Sequence, residues 1–128
     1  MFKKIITSQT IAPLQTQRVW LDDLRPTPAG YTHTCRTAKE AIALLSNKQV
    51  EFISLDHDLG PPEAGTGYEV ATFIERAAYF NEIPPLKWQI HSANSVGIMK
   101  MKVALDNADK FFESHINKDN NPQQELQL

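Results

Sequence analysis

The sequence predicts a small α/β domain with a mainly parallel sheet of four to five strands. Short apolar runs alternate with segments of helical periodicity, and strands that are separated by helices pair in parallel. The length of 128 residues suits one domain with a hydrophobic core. A hydrophobic content of 41% and a charged content of 22% are ordinary for a globular protein and argue against global disorder.

The chain divides into three segments. Residues 1–17 form a weakly patterned lead-in, with a short strand expected near Lys4–Ile6. The α/β domain is expected over residues 18–116. Residues 117–128 are polar and carry proline, asparagine and glutamine, so we expect a disordered tail there.

The first two predicted strands flank a loop. Val19–Leu21 has the apolar character of a short buried strand and ends at Asp22 and Asp23. The segment Leu24–Gly30 contains two prolines and a glycine, which exclude a helix there. Tyr31–Cys35 is predicted as the second strand.

Two capping boxes mark the starts of two helices. Thr37 with Glu40 opens the first helix, which Asn47 ends, and Thr66 with Glu69 opens the second. The apolar side chains at helical spacing that should face the core are Ala38, Ala41, Ile42 and Leu45 in the first helix and Val70, Phe73, Ile74 and Ala77 in the second.

Two more strands and a last helix complete the pattern. Phe52–Leu55 is the third strand and lies between the two capped helices. Leu86–Ile90 is the fourth strand and begins after a break at Pro84 and Pro85. A last helix is expected over residues 96–112, with one apolar face formed by Val96, Met99 and Val103.

Polar residues follow three of the four predicted strands. Because the carboxyl ends of parallel strands meet at one edge of the sheet, where such sheets bind ligands, we expect these residues to converge. They are Asp22, Asp23, Asp56, His57, Asp58, His91, Ser92 and Asn94.

The aspartates are candidate metal ligands. Clustered carboxylates repel one another unless a cation neutralises them, and oxygen ligands suit Mg²⁺ or Mn²⁺. The pattern predicts a divalent metal held by Asp22, Asp23 and Asp58. The alternative is that these aspartates form turns or cap helices.

The histidines and Asp56 are the candidate catalytic residues. His57 lies between two aspartates and His91 follows the fourth strand, so the pair could act as general acid and general base. The histidines could also share a metal with the aspartates, as in dinuclear phosphoesterase sites. Structural hydrogen bonding is the open alternative for both.

Four residues are candidate substrate ligands. Arg25 could grip a phosphate in a bidentate manner, or it could pair with the neighbouring aspartates. Ser92 and Asn94 precede the last helix, whose free N–H groups and dipole favour an anion, and Thr66 stands at the start of another helix. Helix capping explains these last three residues nearly as well.

Charge and composition exclude several classes of protein. A net charge of −2 argues against an extended nucleic-acid-binding surface, though not against a nucleotide or an RNA end in one pocket. The single cysteine, Cys35, rules out an intramolecular disulfide and a cysteine-based zinc site, and it suits a cytoplasmic location. No signal peptide or membrane span is expected.

Together these motifs resemble the cyclic-phosphate-processing receiver domain, a family related to response-regulator receivers. The resemblance covers about Arg18 to Phe111 and rests on the segments Val19–Pro28, Ser54–Gly60, Thr66–Glu69 and His91–Asn94. It implies a three-layer, receiver-like (flavodoxin-like) fold and hydrolysis of a cyclic phosphate, such as a 2′,3′-cyclic RNA end or a cyclic nucleotide. A non-catalytic receiver-like module that binds a nucleotide or a protein partner is the alternative.

The resemblance also implies roles for individual residues. Asp22 and Asp23 occupy the position of the acidic pair that binds Mg²⁺ in receivers, Asp56 or Asp58 that of the phosphoryl acceptor, and Ser92 could contact the phosphate. Two features depart from ordinary receivers. The loop after Asp23 is too short for the usual first helix, and no final strand with the receiver lysine is visible. These departures weaken a signalling role more than a hydrolase, which the added histidines favour.

Overall fold

The computed structural model describes residues 14–119 and confirms the α/β fold. The predicted strand near Lys4–Ile6 lies outside these residues. Strands and helices follow the chain in the order β1 (Gln17–Leu21), β2 (His33–Cys35), α1 (Ala38–Ser46), β3 (Val50–Leu55), α2 (Gly67–Tyr79), β4 (Lys87–Ile90) and α3 (Ser95–Asp119), with a short 3₁₀ turn at Pro62–Ala64.

The four strands form one sheet in the order β2-β1-β3-β4, and every pairing is parallel. The order places β1 and β3 in the centre, so the residues that follow them lie in the middle of the carboxyl edge. The last row of paired residues contains Leu21, Leu55 and Ile90. Each of the four strands predicted between Val19 and Ile90 is present within two residues of its expected limits.

The helices pack side by side against one face of the sheet. Contacts run from α1 to α2 and from α2 to α3, and both α1 and α3 contact strands. Apolar side chains that alternate along the strands fill the space below the helices. The fully buried members of this core include Val19, Leu21, Ile53, Leu55, Ile74, Met101 and Leu105.

The other face of the sheet is crossed by the loop between β1 and β2. Trp20 lies on this face, buried, and its indole N–H donates to the carbonyl of Arg25 in the loop at 3.3 Å. Arg18 donates from Nε to the carbonyl of Gly30. Among the described residues no helix lies between β1 and β2, as the prolines predict.

The predicted caps set the starts of α1 and α2. Thr37 and Glu40 form both bonds of a capping box, and Asn47 is the C-cap of α1, as predicted. At α2 the hydroxyl of Thr66 accepts the N–H of Glu69, which is the bond that caps the helix. The reciprocal bond from the Glu69 side chain is not found there.

Helix α3 differs from the prediction in its extent and its buried face. It continues to Asp119, into the segment expected to be a tail, and residues 120–128 lie outside the described chain. The stripe of Val96, Met99 and Val103 is exposed to solvent. Small residues on the opposite side allow close packing against α2 and β4, so the buried face is formed by Gly97, Met101, Ala104, Leu105 and Ala108.

Candidate functional site

Three predicted site residues form one row just beyond the strand ends. The parallel ladder continues for one residue, because the N–H of Asp22 donates to the carbonyl of Cys35, that of Asp56 to Leu21 and that of His91 to Leu55, at 2.9–3.0 Å. Asp22, Asp56 and His91 therefore lie beside one another on β1, β3 and β4, at the centre of the carboxyl edge.

Strand alternation turns these three side chains toward the same side of the sheet. Each of Asp22, Asp56 and His91 offers one ligand atom, and the three atoms lie within 4.8 Å of one another. Asp22 and Asp56 are only 1% and 8% exposed. Two buried carboxylates at this separation need a partner of positive charge.

The two carboxylate oxygens of Asp22 have different partners, one in the following turn and one in the cluster. Its Oδ1 accepts the backbone N–H groups of Leu24 and Arg25, both at 2.8 Å. Its Oδ2 lies 3.0 Å from Nε2 of His91. Burial opposes the charged form, but the two backbone bonds and His91 outweigh it and hold the pKa of Asp22 below its ordinary value of 3.8. Oδ1 of Asp22 therefore forms the turn, and Oδ2 lies in the cluster at the carboxyl edge.

His91 is held by protein groups on both ring nitrogens and on one ring face. Its Nδ1 lies 2.7 Å from Oγ of Ser54, and its Nε2 contacts Asp22. The ring stacks on Trp20 with a centroid separation of 3.8 Å and an angle of 5°. Burial lowers the pKa of His91 below its ordinary value of 6.5, although Asp22 acts in the opposite direction.

Arg25 supplies the positive charge next to the carboxylates. Its Nη1 lies 3.4 Å from Asp22 and 3.9 Å from Asp56, and it donates to the carbonyl of His91 at 3.1 Å. The side chain remains 48% exposed, so the guanidinium can also reach a ligand. Arg36 braces the same segment, because its guanidinium donates to the carbonyl of Asp22 at 2.6 Å.

A cavity of about 340 Å³ opens over the cluster. All four predicted aspartates line it, together with Arg25; the lining residues are Asp22, Asp23, Leu24, Arg25, Asp56, Asp58, Gly60 and Ala93. Gly60 has a positive φ of 95°, and a Cβ there would lie 3.1 Å from Oδ2 of Asp23. Clefts of about 490 and 470 Å³ lie near Pro85–Lys87, at the other end of β4. Neither cleft is lined by Asp22, Asp56 or His91.

His57 belongs to a second cluster on the helix side of the edge. Its ring packs against Gly97 of α3, and its Nδ1 lies 2.8 Å from Oδ1 of Asp58. Asn94 donates from Nδ2 to both oxygens of Asp58 and accepts the N–H of Gly97, which caps α3. The hydrogen bond from His57, followed by that from Asn94, lowers the pKa of Asp58.

The remaining predicted substrate ligands, Thr66 and Ser92, have local partners. Thr66 caps α2 and forms an isolated bridge with Asp58. The Oγ of Ser92 accepts the N–H of Asn94 at 3.1 Å. Neither residue lines the cavity above the carboxylates. Cys35 lies below the edge, and burial raises the pKa of its thiol to about 11, which makes it a poor nucleophile.

Several residues around the site were missed by the sequence reasoning. Trp20, Ser54 and Gln89 lie two positions before Asp22, Asp56 and His91, on the same face of the sheet. The period of two along a strand was the signal that could have found them. Arg36, which follows β2, had no comparable signal.

A parallel sheet in this order, with acidic residues at the centre of its carboxyl edge, defines a receiver-like α/β protein. The family model described as the cyclic-phosphate processing receiver domain matches residues 17–107, and the chain belongs to that family. The comparisons with curated proteins and with solved structures gave no match. Within the described residues, no helix has the length and apolar character needed to cross a membrane.

Proposed function

We propose that this protein is a phosphoesterase that uses a divalent cation to open a cyclic phosphate, either the 2′,3′-cyclic end of an RNA or a cyclic nucleotide. The observation that carries the proposal is the row formed by the buried Asp22 and Asp56 and the partly buried His91, with three ligand atoms within 4.8 Å of one another. This row lies under a cavity that also holds Arg25, a side chain suited to phosphate.

The donor set fits a small divalent cation. Two carboxylate oxygens and an imidazole nitrogen suit Mn²⁺, and the same oxygens suit Mg²⁺. Asp23 and Asp58 line the same cavity and would add oxygen ligands or hold bound water. Such a cation would supply charge stabilisation at the phosphoryl oxygens and lower the pKa of a water molecule.

The protein's own groups would bind the substrate and transfer protons. In the reaction, water gives up one proton as its oxygen bonds to phosphorus, the ester bond to the 2′ or 3′ oxygen breaks, and that leaving oxygen takes up a proton. Arg25 would bind a non-bridging phosphoryl oxygen, because half of its side chain is exposed. The N-terminus of α3, next to Ser92 and Asn94, would favour the same negative charge.

His57 is our candidate for the proton transfer. Asp58 accepts from Nδ1 of His57 and so orients the ring, which leaves Nε2 to exchange a proton. His91 has protein partners on both nitrogens, which suits a ligand better than a free acid or base. This assignment separates the two histidines that the sequence reasoning treated as an equivalent pair.

The contacts of Arg25 favour a second candidate function. Its guanidinium already neutralises Asp22 and Asp56 in part, so the carboxylates have a counter-charge without an ion. A metal-free module that binds a nucleotide without hydrolysing it would need only this arrangement.

Calorimetry with Mn²⁺ and with Mg²⁺ at neutral pH tests the cation site. Wild-type protein should bind one of them, and Asp56→Asn should abolish the heat of binding. Asp106→Asn is the matched control, because it removes a carboxylate that pairs with Lys102 on the exposed side of α3. Equal binding by both variants would contradict the site.

Turnover is then measured by release of a monophosphate from a 2′,3′-cyclic nucleotide and from an RNA with a 2′,3′-cyclic end. We expect hydrolysis that depends on the cation and is lost in Asp56→Asn. Binding of either ligand without turnover, in the presence of each metal, would favour the binding module.

A further inference from the structure

Ser54 is a buried hydroxyl directly below the site. It lies on β3 and is fully buried, and its Oγ contacts Nδ1 of His91 at 2.7 Å. The second neighbour of this oxygen is Nε2 of Gln89, at 3.3 Å, on the adjacent strand β4. A buried serine in the middle of a sheet needs such partners, since an unpaired hydroxyl there is costly.

The directions of these hydrogen bonds follow from the chemistry of each group. A carboxylate only accepts, so the contact between Asp22 and His91 requires a hydrogen on Nε2. In a neutral ring Nδ1 is then an acceptor. The hydroxyl of Ser54 must donate to it and can accept the amide N–H of Gln89.

A cation bound through Nε2 of His91 would replace the hydrogen bond to Asp22 and reverse the two bonds of Ser54. The ligand nitrogen must present its lone pair, so the ring hydrogen moves to Nδ1. Ser54 would then accept from Nδ1–H and donate its own hydrogen to Gln89. The amide of Gln89, exposed on β4, can rotate to present its oxygen. The ring stays neutral, so the exchange releases no net proton.

We propose that Ser54 and Gln89 are positioning residues that form a reversible hydrogen-bond relay for His91. Both side chains can donate and accept, so they satisfy Nδ1 in either tautomer of the ring. Trp20, whose ring centroid lies 3.8 Å from that of His91, keeps the imidazole plane fixed. The ring hydrogen therefore moves between Nε2 and Nδ1 without rotation of the ring. The role of the relay in ion binding rests on the proposed cation site.

The relay predicts the tautomer of His91 in protein from which metals have been removed. Nitrogen-15 NMR of histidine-labelled protein should show His91 with hydrogen on Nε2, and His91→Gln assigns its signals among the four histidines. Ser54→Ala should shift the Nδ1 resonance, because that nitrogen loses its donor. A ring with hydrogen on Nδ1 in ion-free wild-type protein would overturn the relay, whether or not the protein binds a cation.

Exchanges at Gln89 test the relay in the presence of Mn²⁺ without disturbing the core, because this side chain is exposed. Gln89→Glu offers only acceptors, favours hydrogen on Nδ1 and should tighten Mn²⁺ binding by about three- to tenfold. Gln89→Met can neither donate nor accept and should weaken binding by about the same factor.

A double-mutant cycle separates the relay from a simple effect of charge. In a Ser54→Ala background, Gln89→Glu should change the affinity for Mn²⁺ by less than about twofold, because the connecting hydroxyl is absent. The same tightening in both backgrounds would mean that the added charge acts through space, and it would overturn the relay. Absence of Mn²⁺ binding in every variant would instead contradict the proposed cation site, and the tautomer of ion-free protein would still test the hydrogen bonds.

Discussion

The two histidine-bearing clusters at the carboxyl edge differ in depth and in how they are held. In the inner row, Asp22 and Asp56 are buried, and the partly buried His91 is held by Ser54 and Trp20. The outer pair of His57 and Asp58 is held by the start of α3, and the side chain of Asp58 is 66% exposed. Asp56 and His57, which are adjacent in sequence, thus lie in different clusters.

This difference assigns different chemistry to the two clusters. Buried groups with several fixed partners are suited to hold an ion, because their geometry is set before the ion arrives. In the outer pair Asp58 is exposed and His57 is partly buried, and the bond between Nδ1 of His57 and Asp58 leaves Nε2 suited to exchange protons with substrate and solvent. Experiments that affect one cluster and leave the other intact test the assignment.

Replacement of the histidines should have the largest effect. His91→Gln should abolish Mn²⁺ binding and lower the turnover of a 2′,3′-cyclic nucleotide by at least about 10²-fold, and His57→Gln should lower turnover by about 10²–10⁴-fold. We expect the affinity for Mn²⁺ to be retained in His57→Gln. Loss of Mn²⁺ binding in His57→Gln, with a normal melting temperature, would contradict the division of roles.

Gly67 and Gly97 allow helices α2 and α3 to approach the two clusters closely, and replacing each glycine by alanine tests how much space is available. A Cβ on Gly67 would collide with the backbone carbonyl of Asp56, which cannot move freely. We expect Gly67→Ala to cost about 1–3 kcal/mol of unfolding free energy and to weaken Mn²⁺ binding.

Gly97→Ala is the matched exchange at the outer cluster. Its Cβ would lie 2.5 Å from Cγ of His57, a side chain that can rotate away. A gain in helix propensity of up to about 1 kcal/mol offsets part of the strain. Urea denaturation should therefore show a smaller loss than for Gly67→Ala, together with reduced turnover. Equal losses of stability in the two variants would contradict the view that the Asp56 backbone is more rigid than the His57 side chain.

The aspartates should differ in their effect on stability. Asp22→Ala removes the buried carboxylate that accepts the N–H groups of Leu24 and Arg25, which should cost about 1–3 kcal/mol. Asp58→Ala removes an exposed side chain and should change stability by less than about 0.5 kcal/mol. Urea denaturation at pH 7 measures both changes in unfolding free energy. A larger loss for Asp58→Ala than for Asp22→Ala would contradict the greater contribution of the inner row to stability.

The sequence predicted most of the fold because its local signals agree with one another. Prolines define the loop after β1, capping residues begin α1 and α2, and apolar runs mark the strands. It also predicted which strand ends carry polar residues. It did not predict which member of each adjacent pair, such as Asp56 and His57, faces the inner row. Side chains alternate between the two faces of the sheet, and the position of the packed helices decides which face carries the inner row.

The buried face of α3 could not be derived for a related reason. The helix carries two apolar stripes, and the one formed by Val96, Met99 and Val103 is exposed. The buried stripe combines Met101 and Leu105 with Gly97 and alanines, and these small residues contribute little hydrophobicity to a pattern but permit close contact. For Ser54, the period of two gives the face it shares with Asp56, but it does not show that the partner is a histidine from another strand.

The pH dependence of stability should show the smallest difference between the clusters. The folded state lowers the pKa of His91 from 6.5, so below pH 6.5 the unfolded chain binds more protons at this residue than the folded chain does. The stability that His91 contributes is present above pH 6.5 and is lost as pH falls through its folded pKa. Asp22, whose pKa is lowered from 3.8, loses its contribution only at more acidic pH. Urea denaturation in EDTA between pH 5 and 7.5 should therefore give a flatter profile for His91→Gln than for wild-type protein. Asp58→Ala should keep the wild-type slope over this range, because the pKa of Asp58 is lowered from 3.8. If Asp58→Ala flattened the profile and His91→Gln did not, the proton-linked stability would belong to the outer cluster.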